Sequence, residues 1–476
     1  MVKFSILNEE DKKLCHEESL KILEITGVRL ESKIALDMLK SKGCIVDEAK
    51  SMVKFPRNLV EEAIKTAPRK FILGGLDPEC DMYMGEGKSY ITTDGQACFT
   101  YDYELGKRRE STMADMIGAA KITDSLDYIH CFWPIVTAND IPDEYRPIAE
   151  VARCYKVMRK HFQTDCYSAP QAKYYLKILD AILGSREAVI ERKIFSVVCC
   201  PVSPLIFEPD MVEGCLVLAD AEVPIEILPM PIAGTTAPMS LFSTVVQNNA
   251  EVLAGIAIFQ LYKPGTPVIY GSAGGVLDMT TTAFCVGSPE GALQNGACAE
   301  MAKYYGIPSL ISTCATEAKE PDIQCGREKA FNIAITMMLG SDLVCGVGLI
   351  DTANLYYPEL LILDEDFIGN ARRIADGMRG GIDNALTDVL MEVGPGGNFI
   401  SEESTIKYLR NGEHYFPKVK QRQSYEAWST EGETIRTYAR KKAEEIINAP
   451  GKSYLSDEAV AKLEEILAEA EKELCN

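Results

Sequence analysis

Short apolar runs alternate with helix-like stretches along most of the chain after about residue 125. Continuous apolar runs of this kind are typical of strands that are covered by helices on one face and packed inside a barrel on the other. We predict strands at residues 128–133, 162–167, 194–200, 224–228, 268–271, 309–312, 343–346 and 360–363. Eight such units are the number in a (β/α)8 barrel, so we predict an α/β fold of the TIM-barrel type.

Helix signals between the runs support this alternation. Ser288 caps a predicted helix that has Pro289 in its first turn and ends by Gly306. A second helix opens at Pro321-Asp322, ends at Gly340, and has Phe331, Ala334, Ile335, Met338 and Leu339 on one face. The alternative, an open doubly wound sheet, usually has a glycine-rich loop after its first strand, and Pro134-Ile135-Val136 stands there instead.

The two ends of the chain have a different pattern. Residues 1 to about 85 indicate three helices, which begin near Asn8, Ser32 and Pro56. Residues 80–110 favour a β-ribbon, with strands at 89–93 and 98–101 joined through Asp94-Gly95.

The C-terminal end is predicted to be helical. Ser456 caps a helix whose apolar stripe must be buried against the barrel or another subunit; its members are Val460, Leu463, Leu467, Ala470 and Leu474. We therefore predict an N-terminal helical and β-ribbon extension at 1–124, a catalytic barrel at 125–400 and a C-terminal helical extension at 401–476.

Composition narrows the range of functions. The 49 Lys and Arg residues against 70 Asp and Glu give a net charge of −21, which argues against nucleic acid and against an anionic membrane surface as partners. There is no long apolar run or signal peptide, so we expect a cytoplasmic protein. Sixteen cysteines, many in apolar segments, together with four histidines and no CxxC pair, indicate reduced buried thiols and no metal site.

The chemistry of a barrel enzyme is found where its strands end, and aromatic and acidic residues recur at those positions. Aromatic faces and nearby carboxylates hold a cation that cannot donate an N–H bond. The aromatic candidates for such a cage are Trp133, Tyr167, Phe207 and Tyr270, with Tyr356 as a further candidate. Glu208 and Glu317 are the candidates that offset the positive charge. Rim packing for the aromatics, and helix capping or surface ion pairs for the acids, remain the alternative interpretations.

Several ordered segments carry a family resemblance. They are Gly-Thr-Thr-Ala-Pro at 234–238, Gln-Asn-Asn-Ala-Glu-Val-Leu-Ala-Gly at 247–255, Pro-Gly-Thr-Pro-Val-Ile-Tyr-Gly at 264–271, Gly-Ser-Pro-Glu-Gly-Ala at 287–292, Lys-Glu-Pro-Asp-Ile-Gln-Cys-Gly at 319–326, Gly-Pro-Gly-Gly-Asn-Phe at 394–399 and Phe-Pro at 416–417. Together they resemble the trimethylamine methyltransferase (MttB-like) superfamily over roughly residues 50–425.

This resemblance implies a TIM barrel that binds a methylated amine, while a separate corrinoid protein presents cobalt(I), as cobalamin, at the barrel mouth. No cofactor would then be bound permanently, which agrees with the lack of a DxHxxG run. Founding members carry pyrrolysine near the end of the sixth strand, whereas residues 312–316 here are all standard. The chain therefore resembles the non-pyrrolysine branch, and the resemblance implies a quaternary amine substrate such as a betaine or carnitine.

Two other classes remain open. A barrel lyase acting on a small carboxylic acid would need a Schiff-base lysine, and none lies within a predicted apolar strand. A non-catalytic sensor of quaternary amines would need only the cage. We also expect a homo-oligomer, because large barrels commonly bury leftover apolar helix faces between subunits.

Overall fold

Parallel strands close into an eight-stranded barrel at the centre of the computed structural model, which describes residues 4–475. The barrel strands are β1 (Tyr90–Thr93), β2 (Cys131–Phe132), β3 (His161–Asp165), β4 (Phe195–Cys199), β5 (Ile225–Ile227), β6 (Val268–Ser272), β7 (Ser309–Ser312) and β8 (Leu343–Val347). Each strand pairs in parallel with the next, and β8 pairs with β1 to close the ring. The predicted α/β barrel is confirmed.

A helix follows each strand on the outside of the ring. These helices are α1 (Met113–Ser125), α2 (Arg146–Cys154), α3 (Ala169–Leu183), α4 (Pro209–Asp220), α5 (Leu241–Tyr262), α6 (Pro289–Tyr305), α7 (Ile323–Leu339) and α8 (Pro358–Asp376), with a short helix at Arg186–Arg192 after α3. The predicted caps of α6 are confirmed: the Ser288 hydroxyl accepts from the Gly291 N–H, and Gly306 ends the helix in the left-handed region at φ 67°.

One predicted strand is wrong, and its replacement lies elsewhere. Residues 360–363 belong to α8, which Pro358 opens at its first turn. A four-residue apolar run does not distinguish a strand from a buried helix. The missing strand is β1, Tyr90–Thr93, which was predicted as half of a ribbon with 98–101 but pairs in parallel with β2 and β8. The division of the chain at residues 124 and 400 stays a prediction, although β1 precedes the first boundary.

The N-terminal segment covers one side and one end of the barrel. Its helices are Glu9–Ile25, Lys33–Ser41 and Arg57–Thr66, which begin close to the predicted positions. The side chains of Asn8 and Ser32 each accept a hydrogen bond from the first turn of the helix that follows. Three short strands, Val28–Leu30, Ile45–Asp47 and Met52–Lys54, form a sheet with Ile206–Phe207. A hairpin of Phe71–Leu73 and Met82–Met84, with the 3-10 turn Pro78–Cys80 between its strands, packs into the barrel interior and closes its N-terminal end.

Two small sheets are built from the loops at the carboxyl ends of the barrel strands. One contains Phe99–Asp102, Lys107–Glu110, Leu349–Ile350 and Leu355–Tyr356; the other contains Ile232–Ala233, Gly275–Leu277 and Phe284–Cys285. These additions lengthen the walls of the barrel mouth.

The C-terminal helices are Ile382–Ala385, Thr387–Val393, Glu403–Arg410, Tyr425–Glu431, Ile435–Asn448 and Asp457–Leu474. The last begins at Ser456 as predicted, and its Leu463, Leu467 and Ala470 are buried against α2 and α3. The stripe is therefore occupied by the chain's own barrel, and the oligomeric state stays a prediction. Across residues 4–475, no helix combines the length and the apolar character needed to cross a bilayer.

Candidate active site in the barrel lumen

The period-two alternation of side chains assigns each barrel residue to one of two apolar clusters. The outer cluster contains Phe132, Phe162, Ile225 and Ile227, which pack beneath the helices. A separate inner cluster draws residues from strands all around the ring and includes Tyr90, Cys131, Val198, Ile269 and Cys345. On each barrel strand, the residues next to members of the outer cluster therefore point into the lumen.

Two polar side chains meet inside the lumen. Glu226 lies between Ile225 and Ile227 on β5, and Gln163 follows Phe162 on β3. Both are fully buried, and the Gln163 amide Nε2 donates to Glu226 Oε2. The remaining oxygens, Glu226 Oε1 and Gln163 Oε1, are buried and have no hydrogen-bond partner in the described part of the chain. Buried orphan acceptors are unusual in a folded protein and indicate a place where a ligand completes the contacts.

A carboxyl and two aromatic rings lie together at the mouth. Asp165 ends β3, Tyr167 is two residues later, and Trp133 follows β2. Burial raises the pKa of Asp165 to about 6, while the neighbouring side chains of Trp133 and Tyr167 partly oppose the rise. The carboxyl is consequently ionised for the most part at neutral pH.

Local structure fixes the Trp133 indole over the lumen. The backbone N–H of Trp133 donates to Thr93 Oγ1 at 2.7 Å, and the Thr93 hydroxyl donates to the backbone carbonyl of Trp133 at 2.6 Å. Gly95 passes so close that a Cβ there would lie 2.6 Å from the indole Nε1, so only glycine fits. The indole nitrogen itself is buried without a hydrogen bond of good geometry. This arrangement leaves a rigid aromatic wall whose indole N–H lies close enough to the Asp165 carboxyl to lower the pKa of that group.

A third carboxyl, that of Asp94, directly follows β1. Burial raises its pKa to about 6, and the ammonium of Lys329 opposes the rise. Together with Asp165 and Glu226, it gives the interior of the barrel a marked acidic character. A permanent cation entering the lumen would meet carboxyl groups from three different strands.

Thiols line the same space but are unreactive. Burial raises the pKa of Cys131 to about 12, and the pKa values of Cys200 and Cys345 also lie well above that of an ordinary thiol because of burial. The thiolate is the nucleophilic form, so these cysteines do not compete for an electrophilic carbon. All sixteen cysteines are free thiols in the described structure.

The structure brings only part of the sequence-predicted cage together. Trp133 and Tyr167 meet beside Asp165, as described above. Phe207 is buried in the N-terminal sheet, where its strand pairs with Val28–Leu30. Tyr356 belongs to the mouth sheet, where its strand pairs with Phe99–Asp102, and its buried hydroxyl has no hydrogen-bond partner within residues 4–475. Neither ring faces the lumen, because both belong to the outer apolar cluster.

The two predicted glutamates lie in different surroundings. Glu208 is exposed and precedes the first turn of α4, where its side chain makes no capping bond. Glu317 is half-buried in the loop after β7, and its Oε1 accepts from the Gly287 N–H at 2.6 Å. Burial raises the pKa of Glu317, and the nearby carboxyl of Glu328 adds to the rise. Glu317 therefore remains a candidate for a residue that lines the barrel mouth.

Tyr270 is on β6 but points away from the lumen. Its ring is fully buried in the outer cluster, and its hydroxyl donates to Asn249 Oδ1 at 3.0 Å. The Asn249 amide in turn donates to Ser19 Oγ and Tyr305 Oη, both at 2.9 Å. This network fastens the N-terminal helix Glu9–Ile25 to α5 and α6.

Tyr270→Phe is accordingly expected to lower the free energy of unfolding by about 1–2 kcal/mol, because a buried acceptor loses its donor. Binding of a quaternary amine, the ligand expected from the sequence, should stay at the wild-type value. Urea denaturation and a binding titration on the same preparation test both parts. A change in amine affinity with unchanged stability would place Tyr270 in the site.

Glu226, Gln163 and Asp94 were not among the residues singled out from the sequence. A signal was present for Glu226, a charged residue inside the short apolar strand predicted at 224–228. Gln163 is likewise a polar residue inside a predicted strand, the one at 162–167. Asp94 was assigned to a ribbon turn because β1 itself was not recognised as a barrel strand.

Comparison with known proteins gives a consistent result. A profile of the trimethylamine methyltransferase family (MTTB) matches residues 1–475. The chain is 29% identical over 469 residues to the trimethylamine methyltransferase MttB of Desulfitobacterium hafniense strain DSM 10664 / DCB-2, covering 98% of this chain and 94% of that protein. It is also 29% identical over 474 residues to the glycine betaine methyltransferase of Desulfitobacterium hafniense strain Y51, covering 99% and 98%.

A solved structure shares the fold. The crystal structure of the hydroxylamine MtmB complex superposes with a TM-score of 0.50 at 12% sequence identity, covering 92% of this chain and 94% of that chain.

Proposed function

The chain belongs to the trimethylamine methyltransferase family, and on that premise we propose that it removes a methyl group from a small quaternary amine and transfers it to cobalt(I) of a corrinoid held by a separate protein. The observation that carries the choice of substrate is the acidic interior of the barrel: Asp165 lies beside both Trp133 and Glu226, and Asp94 follows β1, near Cys345. A permanent ammonium supplies the positive charge that Asp165 and Glu226 otherwise lack.

The related proteins do not by themselves select the amine, because they include both a trimethylamine methyltransferase and a glycine betaine methyltransferase. The sequence Ser-Thr-Cys-Ala-Thr at 312–316 contains only standard residues, where founding members of the family carry pyrrolysine near a strand end. A quaternary nitrogen needs no such activation, since its departure with the N–C electron pair removes its own positive charge. This favours a quaternary amine over trimethylamine.

In this proposal the protein contributes position and electrostatics. The Trp133 face and the Asp165 carboxylate hold the ammonium, each aromatic contact contributing roughly 0.5–2 kcal/mol. One methyl carbon then points outward. The cobalt electron pair forms the new Co–C bond as the N–C bond breaks, so no proton has to be transferred. The thiols of the lumen stay protonated and do not take part in the transfer.

A Schiff-base lyase finds less support. The buried amine next to the mouth, Lys329, is engaged by the carbonyls of Cys314 and Gly346 and by Asp364. Burial lowers its pKa, but Asp364 more than offsets this, so the net shift is upward and the group stays an ammonium. A Schiff base requires a neutral amine.

The test is a methyl-transfer assay with the full chain, a reduced corrinoid protein and a panel of amines. The panel contains trimethylglycine, carnitine, butyrobetaine and proline betaine, with trimethylamine as the comparison. We expect at least one quaternary amine to produce the absorbance change of methyl-cobalt formation, and trimethylamine to produce none. Binding of a quaternary amine without any methylation would favour a sensor instead.

A further inference from the structure

Glu226 is a carboxyl group whose neighbours provide no positive charge. Its only hydrogen bond within residues 4–475 comes from the neutral Gln163 amide, and no ion pair to it occurs in that range. The titratable groups that face it are Asp165 on β3 and the thiols Cys131, Cys200 and Cys345 on β2, after β4 and on β8. All of them are neutral or negative.

An ionised Glu226 would therefore be an unpaired charge on a side chain with no exposed surface, which is strongly disfavoured. Burial raises the pKa of Glu226 well above its usual range, the Asp165 carboxyl adds to the rise, and the Gln163 bond opposes it. With no counter-charge and no contact with solvent, the ligand-free protein favours the protonated form of this carboxyl. Asp94 and Asp165, whose pKa values are about 6, are by contrast largely ionised.

We propose that Glu226 gives up its proton to solvent when a quaternary ammonium enters the lumen, so that substrate binding releases about one proton per site. This inference rests on the proposed function. A quaternary ammonium carries charge but has no N–H, so it cannot deliver a proton to the carboxyl or take one from it. Its positive charge stabilises the ionised form of a nearby carboxyl, and the freed proton leaves.

The linkage has a definite sign. A group whose pKa falls on binding makes the ligand bind more tightly as pH rises, up to the pKa of the free protein. For one coupled proton the association constant increases at most about tenfold per pH unit. The orphan oxygens Glu226 Oε1 and Gln163 Oε1 would face the polarised methyl groups of the ligand.

Isothermal titration of the full chain with trimethylglycine and with tetramethylammonium at neutral pH tests the proposal. Neither ligand titrates near neutrality, and the titrations are repeated in phosphate, HEPES and Tris, whose ionisation enthalpies differ. We expect the observed heat to vary linearly with buffer ionisation enthalpy, with a slope of about one released proton. Binding with the same heat in every buffer overturns this inference and leaves the proposed function standing. No binding of any quaternary cation overturns both.

Two variants test whether the released proton comes from Glu226. Glu226→Gln imitates the protonated acid, and it should bind the cation more weakly, with no buffer dependence at neutral pH. Its affinity should change with pH only in the range near 6, where Asp94 and Asp165 titrate. Asp165→Asn is the matched control: affinity should fall while the proton count persists. Proton release that survives Glu226→Gln contradicts the assignment.

If Glu226→Gln does not bind the ligand, a measurement on the wild-type protein still tests the proposal. The infrared difference spectrum on adding trimethylglycine should show the loss of a protonated carboxylic acid band and the gain of a carboxylate band. Wild-type protein that binds the ligand without this change would refute the proposal.

Discussion

Lys329→Met is expected to lower the free energy of unfolding by about 3–5 kcal/mol, the cost of removing one partner from a fully buried ion pair. Lys329 Nζ donates to Asp364 Oδ2 at 2.8 Å and to the carbonyls of Cys314 and Gly346 at 2.9 Å each, and both charged side chains have no exposed surface. Without the ammonium, Asp364 is left as a lone buried carboxylate, and two carbonyls lose their donor.

The same network fixes the walls of the barrel mouth. Asp364 Oδ2 also accepts from the Gly348 N–H at 2.6 Å, so α7 and α8 hold the segments after β7 and β8. Gly346 has φ 112°, and a Cβ there would lie 2.6 Å from the Cys314 carbonyl carbon, which shows how closely the two segments approach. Loss of Lys329 is therefore expected to loosen the loop that carries Glu317.

Urea denaturation followed by circular dichroism measures this effect. The matched control is Lys462→Met, which removes an exposed ion pair with Glu458 and should change stability by no more than about 0.5 kcal/mol. A Lys329→Met/Asp364→Leu double variant should recover most of the loss, because it replaces the pair by apolar groups. A single-variant loss similar to that of the control would show that the buried pair contributes little.

Lys329 also illustrates where sequence reasoning about α7 was incomplete. The apolar positions Phe331, Ala334, Ile335, Met338 and Leu339 predicted the buried face of this helix. Of these five only Leu339 is buried, and Phe331 is 61% exposed. The buried face carries the apolar Ile333 and Met337 between polar residues that bond to the loops of the mouth, namely Glu328, Lys329, Asn332 and Thr336. Hydrophobic periodicity finds a face that packs on an apolar neighbour, and it does not find one that packs on backbone carbonyls.

Helix ends were predictable because capping is local. Ser288, Asp322 and Ser456 each accept from a backbone N–H three residues ahead, and a three-residue pattern is visible in the sequence. The closure of the ring by β1 was not predictable from the sequence, because Tyr90–Thr93 pairs with strands that lie about forty and two hundred and fifty residues away. Pairing partners at such separations leave no local signature.

The aromatic candidates were limited by the same kind of ambiguity. A strand-end position establishes that a side chain lies near the mouth, but whether it faces the lumen depends on register. Tyr270 and Glu226 are both on barrel strands, and only the alternation seen in the folded ring places one outside and the other inside. A charged residue flanked by apolar ones is the sequence signal that would have identified Glu226.

Asp165→Asn is expected to reduce kcat/KM for the quaternary amine by about 100-fold, which corresponds to ~2.7 kcal/mol. The substitution keeps the shape of the side chain and removes the charge that faces the ammonium beside Trp133. A unit charge about 4 Å from a cation near a protein surface contributes up to ~4 kcal/mol, so the expected loss is within reach of this single contact. Because the ammonium carries its full charge before transfer, the larger part of the loss should appear in KM.

The rate of methyl-cobalt formation at increasing amine concentration measures this prediction, with Glu208→Gln as the control acid that is exposed beside α4. The wild-type kcat/KM should also fall as the pH drops through about 6, where Asp165 takes up a proton and loses its charge. Asp165→Asn should already be low above that pH and respond less to the change. If Asp165→Asn stayed within about threefold of wild type while Glu208→Gln lost activity, the cation would be held at the exposed rim rather than in the lumen, since a threefold change is well under 1.4 kcal/mol.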